Sequence, residues 1–222
     1  MSEILHPFGA TIYYGKATEE ELKFLKKSAE LSRTKGKSMG SRLAGNIDGQ
    51  IEGSFNVNKF KRMIRPYLIE YSQDCYHRLN HYSIEDDSVF AHMDFDQIDF
   101  SFGDSKPWFN FMKANEFNPL HNHSGFISAV IMIDVPEVIE EENKNDRTNM
   151  PCRGQLEWVY ENNGGISWCG SYKIIPKTGD IFLFPADLKH QVYPFTSDVE
   201  RVSMSFNIYE LKNGNETVGQ WN

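Results

Sequence analysis

The chain has 222 residues, enough for one well-buried core, and its 40% hydrophobic and 14% aromatic content predicts an ordered globular protein. Acidic residues number 31 against 23 basic ones, and the net charge of −8 disfavours nucleic acid as the main partner, because phosphates attract a basic face. The chain has three widely spaced cysteines without a CxxC pair, Cys75, Cys152 and Cys169, which fits a reducing compartment. The amino terminus lacks the pattern of a signal peptide. Together these features predict a cytoplasmic protein.

The amino-terminal third predicts a short strand and two helices. Residues 8–14, FGATIYY, are rich in aromatic and β-branched residues, as in a strand. The segment ATEEELKFLKKSAELSRT has Thr18 as an N-cap and Glu21 three positions on, which predicts a helix that starts with a capping box. Five glycines between 36 and 53 indicate a loop-rich stretch. Apolar residues at intervals of three and four then predict a second helix from about 57 to 82, kinked or divided at Pro66.

From about residue 89 onward, short runs of β-branched and aromatic residues alternate with Gly, Pro, Asn and Asp, which predicts strands. The longest apolar run, FISAVIMI, is too short to cross a bilayer. Between 137 and 153 the chain is polar and charged, and we expect an exposed insertion there. The predicted strands are 96–102, 107–113, 126–134, 155–160, 166–175, 180–184, 190–194 and 200–209.

Two helices followed by many short strands predict a mainly β (α+β) protein, a β-sandwich or jelly roll with the helices packed on one sheet. We expect a single domain over 1–222. Within it, 1–88 would form an amino-terminal helical support and 89–210 the β core, interrupted by the polar insertion at 137–153.

Two histidines, His121 and His123, precede a strongly apolar strand. In an extended chain, residues two apart point to the same face, which we expect these rings to share with Ile127, Ala129 and Ile131. Neutral imidazole is the commonest metal ligand in proteins, and a pair on one face can hold a metal. The alternative is a pair of hydrogen-bonded loop histidines without metal.

A third imidazole and a polar strand face follow in the carboxyl-terminal third. His190 comes after a Gly-Asp turn and a strand, and it is either a third metal ligand or a surface histidine. In ERVSMSFNIY, alternation places Arg201 and Ser203 on one face and apolar residues on the other. A buried arginine is costly unless an anion pairs with it, and its planar fork suits a carboxylate. A solvent-facing edge strand is the alternative.

These pieces occur in a recognisable order in WFNFMKANEFNPLHNHSG and GDIFLFPADLKHQVYPFTSDVERVSMSFN. The order resembles that of the iron(II)- and 2-oxoglutarate-dependent oxygenases, and within them a branch with an H-x-H-S-G motif that is similar to prolyl hydroxylases. The resemblance covers roughly residues 107–208, with LAGNIDGQIE as a weaker upstream match.

The resemblance implies a cupin-like double-stranded β-helix that holds Fe(II) near its mouth. It implies that His121 and His190 are metal ligands, that Arg201 and Ser203 bind the far carboxylate of 2-oxoglutarate, and that Asn110 reaches the same co-substrate. The implied reaction decarboxylates 2-oxoglutarate to succinate and hydroxylates a small-molecule or peptide substrate, with ascorbate as a reductant. We expect the loop around 36–54 and the insertion at 137–153 to govern substrate selectivity.

The sequence departs from the common pattern of this family at one ligand. Most such oxygenases use two histidines and one carboxylate, whereas here the position two after His121 is His123. We therefore expect three imidazoles, from His121, His123 and His190, to bind the metal. Three-histidine iron sites occur in cupin-type dioxygenases, so an enzyme of that kind without a keto-acid co-substrate is the second hypothesis.

Two other histidine groups offer alternative metal sites. In AHMDFDQIDF, His92 and Asp94 share a strand face and could join His190 in a triad with one carboxylate. The surrounding segment is acidic, which argues against a buried barrel strand. His77 and His81 have helical spacing, but no glutamate follows His77 as a zinc protease requires.

A third hypothesis is a non-catalytic β-sandwich binding module in which the histidines are structural. Other catalytic classes have less support. The sequence has no G-x-S-x-G elbow and no glycine-rich phosphate loop. Cys169 has no basic neighbour in sequence to lower its pKa, and we expect a buried structural thiol.

Overall fold

The computed structural model describes residues 3–5, 9–81, 94–160 and 170–220. In these ranges the chain forms helices α1 (Glu19–Lys35), α2 (Val57–His81) and α3 (Glu137–Lys144), and 3-10 turns at Gly40–Arg42 and Phe95–Gln97. The strands, in chain order, are β1 (Glu3–Leu5), β2 (Ile12–Lys16), β3 (Gly49–Glu52), β4 (Ile98–Ser101), β5 (Trp108–Met112), β6 (Asn118–His121), β7 (Ile127–Asp134), β8 (Leu156–Val159), β9 (Ser171–Ile174), β10 (Asp180–Pro185), β11 (Lys189–Val192), β12 (Arg201–Ile208), β13 (Glu210–Asn213) and β14 (Glu216–Gln220).

The strands form three antiparallel sheets. The major sheet has the order β1-β2-β10-β7-β12-β5-β3, and the minor sheet has the order β6-β11-β8-β9. A third sheet has the order β14-β13-β4. The major and minor sheets face each other across a buried apolar cluster that includes Met132, Trp158 and Phe184. The mainly β prediction is therefore confirmed, and the two facing sheets form the double-stranded β-helix.

The helices cover the other face of the major sheet. Leu25 of α1 and Ile64 and Leu68 of α2 are fully buried in one cluster with Met204 and Phe206 of β12. Burying such side chains contributes roughly 1.5–3 kcal/mol each relative to exposure, so this layer is a main source of stability. It also fixes the position of β12, whose opposite face lines the site described below.

Two predictions concerned the start of α1 and the continuity of α2. The capping box predicted for α1 is confirmed, because the Thr18 side chain accepts from the Glu21 N–H while the Glu21 carboxylate accepts from the Thr18 N–H. The predicted division of α2 at Pro66 is wrong, since the helix is continuous from Val57 to His81. Buried residues on both sides of Pro66, Ile64 and Leu68, hold the two halves against the sheet.

Most predicted strands are present, with ends shifted by a few residues. The strand expected at 8–14 corresponds to β2, which begins four residues later, at Ile12. Residues 6–8 lie outside the described residues. Of the strand predicted at 166–175, only the part from 170 lies among the described residues, and it contains β9. Strands β1, β3, β6, β13 and β14 were not predicted, β3 because its glycine-rich surroundings resemble a loop.

The segment 137–153 is not exposed throughout, contrary to the prediction. It begins with α3, on which Ile139 is fully buried against Phe195 and Met112. The apolar stripe on α3 is short and lies among acidic residues, which is why composition alone indicated a solvated loop. In the described ranges, no helix has both the length and the apolar character needed to cross a membrane.

Candidate metal and co-substrate site

Three histidines converge at one end of the cavity between the two sheets. His121 ends β6 and lies directly opposite His190 on β11. His123 follows in the turn, where its N–H donates to the Ala186 carbonyl at 2.8 Å. The ring centroids are 4.3 Å apart for His121 and His190, 4.8 Å for His121 and His123, and 5.1 Å for His123 and His190. One nitrogen from each ring lies within 4.8 Å of the others, close enough to share a metal ion.

Backbone carbonyls fix the tautomers of two of these rings. The Nδ1 atom of His121 lies 2.7 Å from the Pro119 carbonyl oxygen, and that of His190 lies 2.9 Å from the Leu188 carbonyl oxygen. Because a carbonyl can only accept, each Nδ1 carries the proton and each Nε2 keeps its lone pair. This is the arrangement in which a histidine ligates a metal through Nε2 while its other nitrogen is anchored.

The surroundings keep all three imidazoles neutral. Burial lowers the pKa of His190 well below its ordinary value, and the neighbouring His121 and His123 add to the effect. Burial also lowers the pKa of His121 and, with the adjacent His121 ring, lowers that of His123 to about 4. Neutral rings at pH 7 offer three nitrogen lone pairs without first having to release a proton.

The expectation that these rings share a face with Ile127, Ala129 and Ile131 is wrong. Those three residues pack in the cluster on the helix side of the major sheet. The chain does not continue as one strand between His123 and β7, because a turn containing Gly125, with φ 110°, moves it from the minor sheet to the major sheet. Side-chain alternation is therefore reset at the turn.

The cavity contains about 650 Å³ of empty space, part of which is open to solvent. Its floor is the inner face of the major sheet, its far wall carries the histidines, and the loop before β3 covers one side. Arg201 is the one charged residue, apart from the histidines, among the described residues that line it. The lining includes Leu43, Ile47, Gln50, Trp108, Asn110, Met112, Asn118, Ser128, Met132, Phe184, Arg201, Ser203 and Ser205.

Arg201 is buried on this floor with an incomplete set of partners. Its side chain donates to the Gly154 carbonyl at 2.8 Å and contacts the Met112 sulfur at 2.8 Å, while its Nε has no hydrogen-bond partner. Burial lowers its pKa to about 10, so it still carries a positive charge at neutral pH. Among the described residues no carboxylate forms an ion pair with it. A buried cation of this kind fits an anionic ligand.

A row of neutral polar side chains crosses the floor beside Arg201. Gln50, Asn110 and Ser203 are paired across β3, β5 and β12. Gln50 donates its amide to the Asn110 side-chain oxygen at 3.0 Å, and Asn110 donates to Ser203 at 3.4 Å and to Ser205 at 3.2 Å. The Gln50 side-chain oxygen is buried without a partner. These groups can orient a polar ligand without adding charge.

The predicted strand face of β12 and the predicted residues Asn110, Arg201 and Ser203 thus lie on one wall of one cavity. Sequence reasoning missed Gln50, because the glycines around it indicated a loop. It also gave no role to Asn118, whose amide nitrogen lies 3.4 Å from His121 Nε2 and whose side-chain oxygen is buried without a partner. Two weak signals pointed to Gln50, namely the alternation in GQIE and the upstream match LAGNIDGQIE, which contains it.

The alternative histidine groups lie elsewhere or outside the described residues. His92 and Cys169 are not among the described residues. Asp94 is exposed, and its carboxylate accepts from the Asp96 N–H and the Gln97 amide at the start of a 3-10 turn, so it caps that turn rather than facing the cavity. His77 is exposed on α2, and the His81 side chain is outside the described set.

Two solved structures have a similar fold. A prolyl-4-hydroxylase from Pseudomonas putida matches with a TM-score of 0.51 and 12% identity, over 89% of this chain and 91% of its own. An oxidoreductase of the 2OG-Fe(II) oxygenase family from Burkholderia pseudomallei matches with a TM-score of 0.50 and 10% identity, over 95% of this chain and 88% of its own. At such low identity these likenesses define the fold alone. No curated protein matched this chain in sequence.

One family model matches part of the sequence. Residues 106–207 match the model of the family described as "Putative 2OG-Fe(II) oxygenase". The matched segment contains the three histidines, Arg201 and the strands that carry them. This match spans less than half of the 222 residues, so the chain is similar to this family over the segment that carries the candidate site.

Proposed function

We propose that His121, His123 and His190 bind iron(II), that Arg201 with Ser203 and Asn110 binds 2-oxoglutarate, and that the enzyme hydroxylates a C–H bond of a small molecule or peptide. The observation that carries this proposal is a buried, incompletely partnered guanidinium on the wall of the same cavity into which three imidazoles converge. Either feature alone has structural explanations, whereas both together match the two ends of a keto diacid.

The donor set suits a divalent transition metal. Nitrogen ligands of this type are compatible with iron(II), and the two anchored rings already carry their proton on Nδ1, away from the ligating nitrogen. With 2-oxoglutarate and dioxygen, bound iron(II) supplies an oxidation that yields succinate, carbon dioxide and one oxygen atom for the substrate C–H bond. The chain's own task is to hold the rings, exclude bulk water and orient both organic molecules.

Arg201 supplies the charge that recognises the co-substrate. A carboxylate placed against its unpartnered Nε and its Nη atoms would gain charge-assisted hydrogen bonds in a buried setting. The Ser203 hydroxyl and the Asn110 amide lie next to it on the same floor and can donate to a second carboxylate oxygen. The Gly154 carbonyl holds one Nη atom and the Met112 sulfur contacts the other, which leaves Nε as the unpartnered donor for the ligand.

The third histidine changes the charge of the site. Three neutral ligands leave both positive charges on iron(II), whereas a carboxylate ligand would cancel one. The keto-acid end of 2-oxoglutarate would then cancel one of these charges, and its far carboxylate would pair with the positive charge of Arg201. The combined positive charge of the metal and Arg201 supports strong binding of the co-substrate. A three-histidine dioxygenase that ligates its organic substrate directly would not use Arg201 in this way.

The substrate must be compatible with a largely neutral cavity and an entrance bordered by the loop before β3. Leu43 of that loop also lines an adjacent open cleft of about 1210 Å³ in total. A cleft of this size beside the metal site can accept a peptide segment or a small metabolite. We also propose a cytoplasmic location, in keeping with the absence of a CxxC pair in the sequence.

The test is an anaerobic titration of the purified protein with iron(II) and then 2-oxoglutarate. We expect a weak visible charge-transfer band on adding the keto acid, and succinate in proportion to 2-oxoglutarate after oxygen is admitted. Arg201→Ala should bind iron(II) but give no band. A keto-acid-independent dioxygenase would bind metal and ignore 2-oxoglutarate in both proteins, and a binding module would take up no stoichiometric metal.

A further inference from the structure

The carboxylate of Glu142 on α3 is the most heavily hydrogen-bonded acceptor among the described side chains. It accepts from the N–H and hydroxyl of Thr196, both at 2.8 Å, and from the N–H and hydroxyl of Ser197 at 2.9 and 2.7 Å. Arg153 adds an ion pair at 3.2 Å. Two oxygens with about four lone-pair sites are thereby fully used. Glu142 does not line the cavity, so these bonds serve something other than direct ligand contact.

One set of these bonds leads to Arg201 through the chain before β12. Thr196 and Ser197 directly follow Phe195, which is fully buried. The Arg201 guanidinium carbon lies 5.9 Å from the centre of the Phe195 ring. The Phe195 carbonyl is held in turn by the Asn115 N–H at 2.7 Å. Glu142 thus anchors the segment that places an aromatic ring over the guanidinium.

The other set leads to Arg201 through Arg153. The residue after Arg153 is Gly154, whose carbonyl accepts from Arg201 and whose N–H donates to the Pro194 carbonyl at 3.0 Å. Asn143, next to Glu142 on α3, donates its amide to the Arg153 carbonyl at 3.1 Å. The peptide group between Arg153 and Gly154 is therefore fixed at its carbonyl by Asn143 of α3 and at its N–H by the segment that Glu142 anchors.

The packing around Gly154 is as tight as its hydrogen bonding. Its φ of 68° lies in the left-handed region, and a Cβ there would come within 2.2 Å of the Ile139 side chain. Ile139 belongs to α3 and is fully buried. The helix therefore packs directly against the backbone of Gly154, whose carbonyl accepts a hydrogen bond from Arg201.

Taken together, the geometry points to Glu142 as a positioning residue for 2-oxoglutarate, since it fixes from α3 both the carbonyl and the aromatic ring that orient the Arg201 guanidinium. This inference rests on the proposed function, because it gives Arg201 a ligand. It also assigns a role to the polar segment 137–153, which would position Arg201 without lining the cavity itself. The histidines are held by β6, β11 and the turn after β6, so metal binding is independent of Glu142.

The experiment compares Glu142→Gln with Glu141→Gln. Both variants remove one negative charge from neighbouring positions of α3, but Glu141 is exposed. A glutamine at 142 turns an amide NH₂ toward donors from Thr196, Ser197 and Arg153, which breaks the cluster. Iron(II) affinity is measured anaerobically, and 2-oxoglutarate affinity is then measured from the charge-transfer band of the iron-loaded protein.

We expect Glu142→Gln to weaken 2-oxoglutarate binding about tenfold and to raise the KM for 2-oxoglutarate, because misplacing a binding group by a fraction of an ångström has effects of this size. Iron(II) affinity should stay within about twofold of wild type, and Glu141→Gln should match wild type in both measurements. Ser197→Ala, which removes one hydrogen bond from the cluster, gives a milder variant and should weaken 2-oxoglutarate binding about two- to threefold.

Equal 2-oxoglutarate affinity in Glu142→Gln and Glu141→Gln would overturn the inference. Parallel losses of iron(II) and 2-oxoglutarate binding would also overturn it, because they would mean that Glu142 only stabilises the fold. If Glu142→Gln is too unstable to purify, unchanged 2-oxoglutarate affinity in Ser197→Ala is the refuting result. An absence of 2-oxoglutarate binding in the wild-type protein would instead refute the proposed function.

Discussion

Replacing Arg201 by methionine separates the two roles that a buried arginine can have. Methionine has a similar length and leaves the apolar contacts of the stem in place. If Arg201 is held for an anionic ligand, the substitution should affect ligand binding far more than the stability of the ligand-free protein. If it is a structural residue, the order of the two effects should be reversed.

The structure gives the approximate size of each effect. Burial lowers the pKa of Arg201 to about 10, which corresponds to a cost of roughly 3 kcal/mol for keeping the charged form in the folded protein. Against this, the variant loses the hydrogen bond to Gly154 and leaves that carbonyl without its donor, at about 1–3 kcal/mol. The two terms nearly cancel, so the free energy of unfolding should stay within about 2 kcal/mol of wild type.

Ligand binding has no such compensation. Removing one partner of a buried, hydrogen-bonded charge pair costs about 2–5 kcal/mol, which corresponds to a loss of roughly 30-fold or more in 2-oxoglutarate affinity. At a 2-oxoglutarate concentration 100 times the wild-type Kd, ligand binding stabilises the wild-type protein by about 2.7 kcal/mol. We expect the variant to gain less than about 1 kcal/mol under the same conditions.

The assay is anaerobic urea unfolding of the iron-loaded wild-type and Arg201→Met proteins, with and without 2-oxoglutarate. Succinate, which lacks the keto group that chelates metal, serves as the control ligand. The reasoning is refuted if the variant is stabilised by 2-oxoglutarate as much as wild type, or if it loses more than about 4 kcal/mol of stability without any ligand.

Three further predictions concern the metal and the acidic cluster on α3. His190→Ala should abolish stoichiometric iron(II) binding, measured by elemental analysis after anaerobic loading, whereas the exposed control His77→Ala should retain it. His123→Asp, which installs the common carboxylate ligand, should keep iron(II) binding but weaken 2-oxoglutarate binding through the added negative charge; loss of metal would contradict this. Burial would raise the pKa of Glu142, but hydrogen bonds from Ser197 and Thr196 outweigh it and lower the pKa to about 2. Because the folded-state pKa lies below the ordinary 4.5, the stability from Glu142 is present above pH 4.5 and is lost as the pH falls toward 2. The difference in melting temperature between wild type and Glu142→Gln should therefore shrink over that range, and a constant difference would be contrary to expectation.

Local chemistry in the sequence determined several features of the fold. The capping box joins Thr18 and Glu21, which are only three positions apart, and it forms as predicted. The alternation in β12 also needs no tertiary information, because side chains of a strand must point to opposite faces. Val202, Met204 and Phe206 accordingly pack under the helices, while Arg201 and Ser203 face the cavity.

Features that depend on where the chain changes sheets were beyond the sequence. Alternation predicted the same face for His123 and Ile127, but His123 lies in the turn that contains Gly125, and only Ile127 belongs to a strand. Gln50 lies in a glycine-rich stretch and becomes a strand residue only because β5 offers it a pairing partner. Likewise, α3 is covered on one side by Phe195 and Met112, residues distant in the chain.

The sequence by itself therefore determined which residue types are available, three imidazoles and an arginine on a strand with one apolar face, and the order in which they occur. Only the tertiary structure decided that these groups line one cavity and that α3 stands behind the arginine. The physical reason is that strand alternation and helix capping act over a few residues. In contrast, β6 pairs with β11, and α3 contacts the segment before β12, through residues that are tens of positions apart in the chain.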